Sequence, residues 1–412
     1  MAVTSAAVTS TVVRLITAGA LHHWLLGPIG SNVNQYSFAP RSSTAYRDGV
    51  QRQRSYLTFH CPSLELEHLR RWRNPLVYRP LVDLLTMEER HLLITYRFDR
   101  ATIQELCTQL EPDLMSAIRH PTGIPPQVQM LSVLHFLASG SFQTTVAIAS
   151  GMSQLMFSNV LSRVLCALLK QVRSYIVFPQ VEDLATVKGD FYALGHILNI
   201  IGAIDGTHVA LVPPHRSEQV YRNRKSYHSM NVQMVCLAGQ YISQVNAMFP
   251  GSVHDAYILR NRSIPYMMGQ LQRHRVWLLG DSGYPNLSWL LTPVRNPRTR
   301  AEERYNEAHG WTRRVIERTF GLLKARFRCL QMTGGSLFYS PRKVCQIIIA
   351  CSMLQNLALR RQLPFLQEDG PDGGVLAAVE RVEPMDSDEE DAEEEDIDNR
   401  ESVTPIFPVT HR

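Results

Sequence analysis

The chain has 412 residues, 45% of them apolar, which is enough to bury a sizeable core in two or three domains. Its formal net charge of +5 hides a division, because residues 1–367 carry 39 Lys or Arg against 21 Asp or Glu, whereas residues 368–401 carry 16 Asp or Glu and two Arg. So basic a body favours a polyanionic partner. Seven scattered cysteines without a CxxC pair argue against a zinc site and a disulfide framework, so we expect a reduced, intracellular protein.

Residues 1–90 predict an N-terminal extension that is partly flexible and basic. Residues 31–60 are rich in Ser, Arg, Gln and Tyr, as in a linker or a DNA-contacting arm. The first ten residues lack the basic start of a secretory signal, and Arg14 interrupts the apolar segment that follows. No apolar run reaches the length of a membrane span, so we expect a soluble protein with no membrane partner.

Residues 91–189 predict an all-α domain that resembles a helix-turn-helix. Residues 128–138 are apolar on one face, residues 142–149 fit a short helix, and Ser153 is a capping residue before the helical stretch 154–170. In a helix-turn-helix the last helix enters the major groove of DNA. The candidate base-reading residues are Gln154, Ser158, Asn159 and Arg163. Because this helix is mostly apolar, a purely structural bundle is the alternative interpretation.

The stretch 200–212 contains two apolar runs that meet at Asp205 and Gly206. This pattern predicts two buried strands with a carboxylate at their junction. A carboxylate among apolar neighbours costs several kcal/mol unless cations or donors compensate it. Asp205 is therefore either hydrogen-bonded in a structural role or a ligand of a hard metal ion.

The next stretch, residues 230–249, predicts a hairpin that turns at Ala238-Gly239-Gln240. Pro250-Gly251-Ser252 then indicates the start of a helix, and Asp255 falls in its first turn. An acid in a first turn is stabilised by the helix dipole, which is one interpretation of this residue.

Residues 276–279 predict another apolar strand, and it delivers Asp281 into a turn rich in Gly and Pro. A later segment carries Ile316, Phe320, Leu323 and Phe327 at the spacing of a buried helical stripe, with Glu317 one residue from it. Docking of that helix on the sheet would bring Glu317 towards the strand ends. The alternative for Glu317 is a surface ion pair with Arg313, four residues earlier.

Residues 346–359 predict an amphipathic helix that closes this domain. Residues 364–412 form an acidic tail of low apolar content, for which we expect disorder. The tail either competes with DNA for the basic face, docks a basic partner, or serves solubility alone.

Two carboxylates on strand ends and one on a helix match the needs of a pair of Mg²⁺ or Mn²⁺ ions in phosphodiester cleavage. A basic track in the same region either follows DNA phosphates or forms a solvated rim. Its members are Arg222, Arg224, Lys225, Arg295, Arg298, Arg300, Arg304, Arg313, Arg314 and Arg318.

The order and spacing of six motifs resemble those of the PIF/Harbinger transposases and of the nucleases derived from them, from about residue 92 to about residue 361. Asp281 and Glu317 are separated by 35 residues, as in the D,D(35)E pattern of transposases. The motifs are Ile204-Asp205-Gly206-Thr207-His208-Val209, Pro250-Gly251-Ser252-Val253-His254-Asp255, Trp277-Leu278-Leu279-Gly280-Asp281-Ser282, Tyr305-Asn306, Val315-Ile316-Glu317-Arg318-Thr319-Phe320 and Arg326-Phe327-Arg328-Cys329-Leu330.

This resemblance implies an α/β fold in residues 190–363, a ribonuclease H-like mixed sheet with flanking helices. It implies that Asp205, Asp281 and Glu317 are catalytic and bind a divalent cation, Mg²⁺ or Mn²⁺, and it offers Asp255 as a fourth metal ligand. The implied reaction is two-metal hydrolysis of DNA, and strand transfer would use the same site.

The implied partners are DNA and a Myb-like DNA-binding protein, and we allow for a homo-oligomer. The implied location is the nucleus, with the cytoplasm allowed as well. The alternative function is a catalytically silent, domesticated transposase that acts as a DNA-binding or protein-interaction module.

Overall fold

The computed structural model describes residues 86–115, 124–215, 218–260 and 263–366, and the backbone of a short strand at 375–376. Most of the predicted N-terminal extension and most of the acidic tail therefore lie outside the described residues. The described part begins with a group of helices. They are α1 (Glu89–Tyr96), α2 (Arg100–Leu114), α3 (Pro126–Ser139), α4 (Gln143–Ala149), α5 (Gln154–Tyr175) and α6 (Leu184–Gly195).

The helix α5 forms where the sequence predicts it, and Ser153 caps it by accepting a hydrogen bond from the Met156 amide at 3.2 Å. Its apolar side is buried, with Phe157, Leu161 and Leu165 fully enclosed. By length and apolar composition, α5 is the one helix in the described ranges that could cross a membrane, and in this fold its buried side belongs to the core.

The candidate base readers on α5 do not share one environment. Gln154, Asn159 and Arg163 are exposed and Ser158 is half-buried. Arg163 alone among them bonds another helix, donating to Gln129 Oε1 at 3.3 Å.

Five strands form a mixed sheet in the order β3-β2-β1-β4-β5. The pairs β1–β2 and β2–β3 are antiparallel, and the pairs β1–β4 and β4–β5 are parallel. Together with the flanking helices, this sheet confirms the predicted α/β class. The strands are β1 (Ile200–Ala210), β2 (Ser229–Cys236), β3 (Ile242–Pro250), β4 (Trp277–Leu279) and β5 (Leu290–Leu291).

The hairpin predicted within 230–249 is present as β2 and β3, but the break predicted at Gly206 is wrong. The strand β1 runs through Gly206 without interruption, because its ladder with β2 is continuous from the pair Ala203 and Cys236 to the pair Ala210 and Ser229. Glycine is required there for another reason: a Cβ at this position would lie 2.4 Å from Asp255 Oδ1.

The remaining helices lie between the strands or after them in the chain. Short helices α7 (Glu218–Tyr221), α8 (Asp255–Arg260) and α9 (Ser263–Leu271) connect the strands, and the long helix α10 (Arg300–Arg326) begins with a capping box between Thr299 and Glu302. The predicted stripe is buried, with Ile316, Phe320 and Leu323 on α10 and Phe327 directly after its end. After α11 (Pro341–Arg360), strand β6 (Phe365–Leu366) pairs with β7 (Val375–Leu376).

The amphipathic character expected for residues 346–359 is wrong. They lie in α11, where every residue from Val344 to Leu359 is buried. It packs against both α5 and β3, so no face is left for solvent. Its polar side chains bond inside the protein. Asn356, for example, accepts from the Ile242 amide at 2.8 Å and donates to the Ile242 and Tyr175 carbonyls.

Candidate active site

Asp205 and Asp281 lie at the same level of the sheet. The parallel strands β1 and β4 pair Ala203 with Leu279, and each acid follows two residues later. Asp205 lies inside β1, and not at a strand end as expected, whereas Asp281 follows the end of β4. Because adjacent strands are about 4.8 Å apart, this register brings the two carboxylates close together.

The carboxylate of Asp205 is partly buried and electrostatically strained. Burial raises its pKa to about 6, and the negative charges of Asp281 and Asp255 act in the same direction. The Gly206 amide, 2.7 Å from Asp205 Oδ1, and the Arg313 guanidinium oppose the rise. Three acids that the sequence separates by up to 76 residues thus share one electrostatic environment.

Asp255 is the first residue of α8 and reaches β1 through the gap at Gly206. Its Oδ1 accepts a hydrogen bond from Asn231 Nδ2 at 2.8 Å, and its carbonyl accepts one from Gln233 Nε2 at 3.3 Å. Its place in a first turn also agrees with stabilisation by the helix dipole. Asp255 lies against Gly206, the neighbour of Asp205, and its negative charge acts on the Asp205 carboxylate.

Two buried amide oxygens next to Asp255 have no hydrogen-bond donor among the described residues. They are Asn231 Oδ1 and Gln233 Oε1. The amide nitrogen of Gln233 also donates to the hydroxyl of Tyr284 at 3.0 Å, and burial raises the pKa of that tyrosine well above its ordinary value. Unsatisfied oxygens beside repelling carboxylates are a set of hard donors that suits a divalent cation.

Glu317 lies on α10 next to the buried stripe. Arg313 connects it to Asp205 on the sheet. One guanidinium nitrogen of Arg313 lies 2.8 Å from Asp205 Oδ2, and the other lies 2.5 Å from Glu317 Oε1. The ion pair with Arg313 therefore exists, and the same arginine also connects Glu317 to the first acid. The ion pair expected as the alternative for Glu317 is present, and its role as a metal ligand stays a prediction.

The four predicted acids do not close into one metal cage in this arrangement. Within the described ranges, no three His, Cys, Asp or Glu side chains approach closely enough to form such a group. The oxygen donors still fit Mg²⁺ or Mn²⁺ in kind, because these ions prefer carboxylate and carbonyl ligands. Asp205, Asp281 and Glu317 are the residues that would hold the ions, with Asp255 beside them.

Two residues of α10 that the sequence analysis did not single out also contact this region. Lys324 Nζ donates to Thr207 Oγ1 at 2.7 Å and to the His208 carbonyl at 2.9 Å, and burial lowers its pKa to about 8. His309 Nε2 contacts the Leu291 carbonyl at 3.2 Å, and burial lowers its pKa to about 4. Their spacing from Arg313 and Glu317 was the available signal, because residues four or seven apart share a helix face.

The residues of the basic track differ in their exposure to solvent. Most of its arginines, including Arg222, Arg224 and Arg298, are exposed, as in a solvated rim. Arg313 differs, since it is turned into the acid cluster. His208 directly follows Thr207 on β1. Its Nδ1 bonds Ser229 Oγ at 2.9 Å, and burial lowers its pKa.

Comparison with known proteins identifies the same region. A family profile described as "DDE superfamily endonuclease" matches residues 204–356. The chain is 39% identical over 272 residues to the Bos taurus protein named "Putative nuclease HARBI1", covering 66% of this chain and 78% of that one. The Homo sapiens protein of the same name is 38% identical over the same shares.

A more distant relative comes from a plant. The Arabidopsis thaliana protein named "Antagonist of like heterochromatin protein 1" is 27% identical over 304 residues, covering 68% of this chain and 75% of that one. No solved structure matches the chain.

Proposed function

Because the chain belongs to the Harbinger transposase-derived nuclease family and carries a DDE superfamily endonuclease domain, we propose that it is a divalent-metal-dependent endonuclease that hydrolyses DNA phosphodiester bonds. The proposed fold of the catalytic part is ribonuclease H-like. Its support is the mixed sheet, with acids on adjacent parallel strands and a further acid on a helix packed against that sheet.

The observation that carries the proposal is the electrostatic cluster of Asp205, Asp255 and Asp281. Burial and like charge raise the pKa of Asp205 to about 6, so the fold keeps three mutually repelling carboxylates together at a free-energy cost. A protein that only binds DNA has no chemical need for that cost. The catalytically silent alternative is therefore not favoured.

Each residue has a proposed part in the reaction. Asp205 and Asp281 would hold divalent cations from adjacent strands, and Glu317 would add a further carboxylate ligand from α10. Bound divalent cations would activate the attacking water and stabilise the leaving oxygen. Asn231 and Gln233 fix Asp255 by hydrogen bonds, and His309 anchors α10 to the carbonyl of Leu291.

Cations around the cluster provide a path for the DNA backbone. Lys324 lies against β1 next to Thr207, and Lys225 is close enough to lower its pKa further. Phosphate contacts of this kind position DNA without reading its sequence. A DNA substrate also supports our proposal of a nuclear location and of a Myb-like partner that would supply the base reading.

A plasmid nicking assay tests the proposed function. Wild-type protein with Mn²⁺ or Mg²⁺ should relax supercoiled DNA, and EDTA should stop the reaction. Asp281→Asn should lower the rate about 100-fold or more, because it removes a carboxylate that would hold an ion. Asp190→Asn is the matched control, since Asp190 is an exposed aspartate on α6 that is not among the proposed metal ligands.

The outcomes separate the two functions. Equal nicking by the wild type and by Asp281→Asn would assign the activity to a contaminant or to another site. DNA binding by both proteins without nicking by either would establish the binding module instead.

A further inference from the structure

Arg313 lies between two of the acids that we propose as metal ligands. Its two terminal nitrogens contact different carboxylates, Asp205 at 2.8 Å and Glu317 at 2.5 Å. A guanidinium is a planar fork that can bond two carboxylate oxygens at once, so Arg313 bridges β1 and α10 with charge-assisted hydrogen bonds.

The bridge occupies oxygens that a divalent cation would use. Asp205 Oδ1 already accepts from the Gly206 amide, and Oδ2 accepts from Arg313, so the guanidinium holds the other oxygen of that carboxylate. Glu317 is held towards Arg313 on its own helix. Arg313 thus holds both carboxylates in hydrogen bonds that a metal ion would have to replace.

The exposed fractions of the three side chains indicate which of them has room to change its rotamer. The Asp205 side chain is 18% exposed and that of Arg313 is 20% exposed, whereas that of Glu317 is 52% exposed. Glu317 can therefore rotate about its side-chain bonds without disturbing the core, while Asp205 is fixed by β1. Release of Glu317 needs only the loss of one exposed ion pair, a contact of small net strength.

We propose that Arg313 is a positioning residue that competes with divalent cations for Asp205 and Glu317, and that an arriving ion displaces it before Glu317 can act as a ligand. This inference rests on the proposed metal-dependent function and adds a built-in competitor to it. In the apo protein, Arg313 offsets the repulsion between the acids. Once an ion is bound, the guanidinium is released from Glu317.

The neighbouring arginine does not share this geometry. Arg314 is exposed, and its guanidinium stacks on the Trp311 ring at 5.2 Å from the ring centre. Both residues carry the same charge on adjacent positions of α10. Arg314 is therefore a matched control that separates direct competition from the general positive field of the helix.

The test is calorimetric titration of Mn²⁺ into the full chain without DNA, after removal of metal by EDTA and dialysis. Arg313→Gln should bind Mn²⁺ about fivefold more tightly or better, because the carboxylates no longer need to be freed. Arg313→Lys keeps the charge but cannot bridge both acids, so it should also bind more tightly than the wild type. Arg314→Gln should bind within about twofold of the wild type.

Unchanged or weaker Mn²⁺ binding by both Arg313 variants would overturn the inference, because a merely structural arginine would not hold back the metal. Asp281→Asn distinguishes this failure from failure of the proposed function. If the wild type binds Mn²⁺, Asp281→Asn does not, and the Arg313 variants match the wild type, only the competition is wrong. If wild type and Asp281→Asn bind alike, or neither binds, the metal centre fails and the competition fails with it.

Discussion

Asp205 shows how far a single residue can be understood from sequence. An acid in an apolar strand requires compensation, and the sequence predicts either donors or cations as its partners. The fold supplies both kinds, a backbone amide from Gly206 and the guanidinium of Arg313. The identity of that cation was beyond sequence reasoning, because Arg313 is 108 residues away and its own neighbour Glu317 was an equally good partner.

The raised pKa of Asp205 predicts a pH-dependent cost to stability in the apo protein. The folded pKa of about 6 exceeds the ordinary value of 3.8, so the folded state keeps a proton that the unfolded state loses. The unfolding free energy therefore falls as pH rises from about 4 to 6 and stays lower above that range, by roughly 3 kcal/mol at most.

Asp205→Asn should remove this cost. In EDTA, urea denaturation should show the variant about 1 to 3 kcal/mol more stable than the wild type at pH 8, with the difference shrinking towards zero near pH 4. Asp190→Asn, on the exposed side of α6, should follow the wild-type curve. An Asp205→Asn variant less stable than the wild type at pH 8 would contradict the claim that the charged Asp205 carboxylate destabilises the folded protein.

Gly206 is a second residue whose role differs from its sequence interpretation. Gly206→Ala would place a Cβ 2.4 Å from Asp255 Oδ1, so the aspartate must move and give up its bond from Asn231. We expect a loss of about 1 to 3 kcal/mol in unfolding free energy and Mn²⁺ affinity lower by about tenfold, measured by urea denaturation and calorimetry.

The control for this variant is another glycine. Gly321→Ala lies on α10 with no atom within 4 Å of the added Cβ, so it should raise stability by up to about 1 kcal/mol and leave Mn²⁺ binding unchanged. Equal behaviour of the two alanine variants would show that Gly206 has no special relation to Asp255.

At the scale of elements, α10 and α11 show that hydrophobic periodicity predicts buried apolar residues but not the contacts of polar ones. The buried stripe of α10 was predictable because apolar residues recur at helical spacing. Its polar face, from His309 to Lys324, was not, since periodicity does not say which polar residues meet a sheet. The helix α11 has a mixed composition that suggests an exposed face, yet its polar side chains bond internally.

Asn356 on α11 links the helical group to the sheet and predicts a large effect on stability. Asn356→Leu removes the side-chain partner of the Ile242 amide and carbonyl, and one of the two side-chain donors to the Tyr175 carbonyl, the other being Arg360. Buried backbone groups without partners cost about 1 to 3 kcal/mol each, so the unfolding free energy should fall by about 3 to 5 kcal/mol.

Ser352→Ala is the matched change one turn earlier on the same helix. Ser352 is buried, but its hydroxyl only donates to the Ile348 carbonyl within α11. Its loss should cost less than about 1.5 kcal/mol in the same urea experiment. A similar cost for the two variants would mean that Asn356 does not join the two parts of the fold.

At the scale of the whole molecule, local sequence patterns predicted individual helices and strands, whereas the contacts between them depend on the fold. The predicted helices from α3 to α5, the hairpin of β2 and β3, and the strand before Asp281 are all present. The parallel pairing of β1 with β4 brings Asp205 beside Asp281, and no local pattern encodes a contact across 76 residues. The family resemblance supplied that long-range information.

The most direct test of a divalent-cation centre at these acids is an anomalous difference map from crystals of the full chain soaked in Mn²⁺ near pH 7.5. We predict anomalous density between Asp205 and Asp281, with carboxylate oxygens about 2.1 Å from the ion and Glu317 turned away from Arg313 to join them. Absence of density at these acids, or manganese bound elsewhere while Arg313 still bridges Asp205 and Glu317, would contradict it.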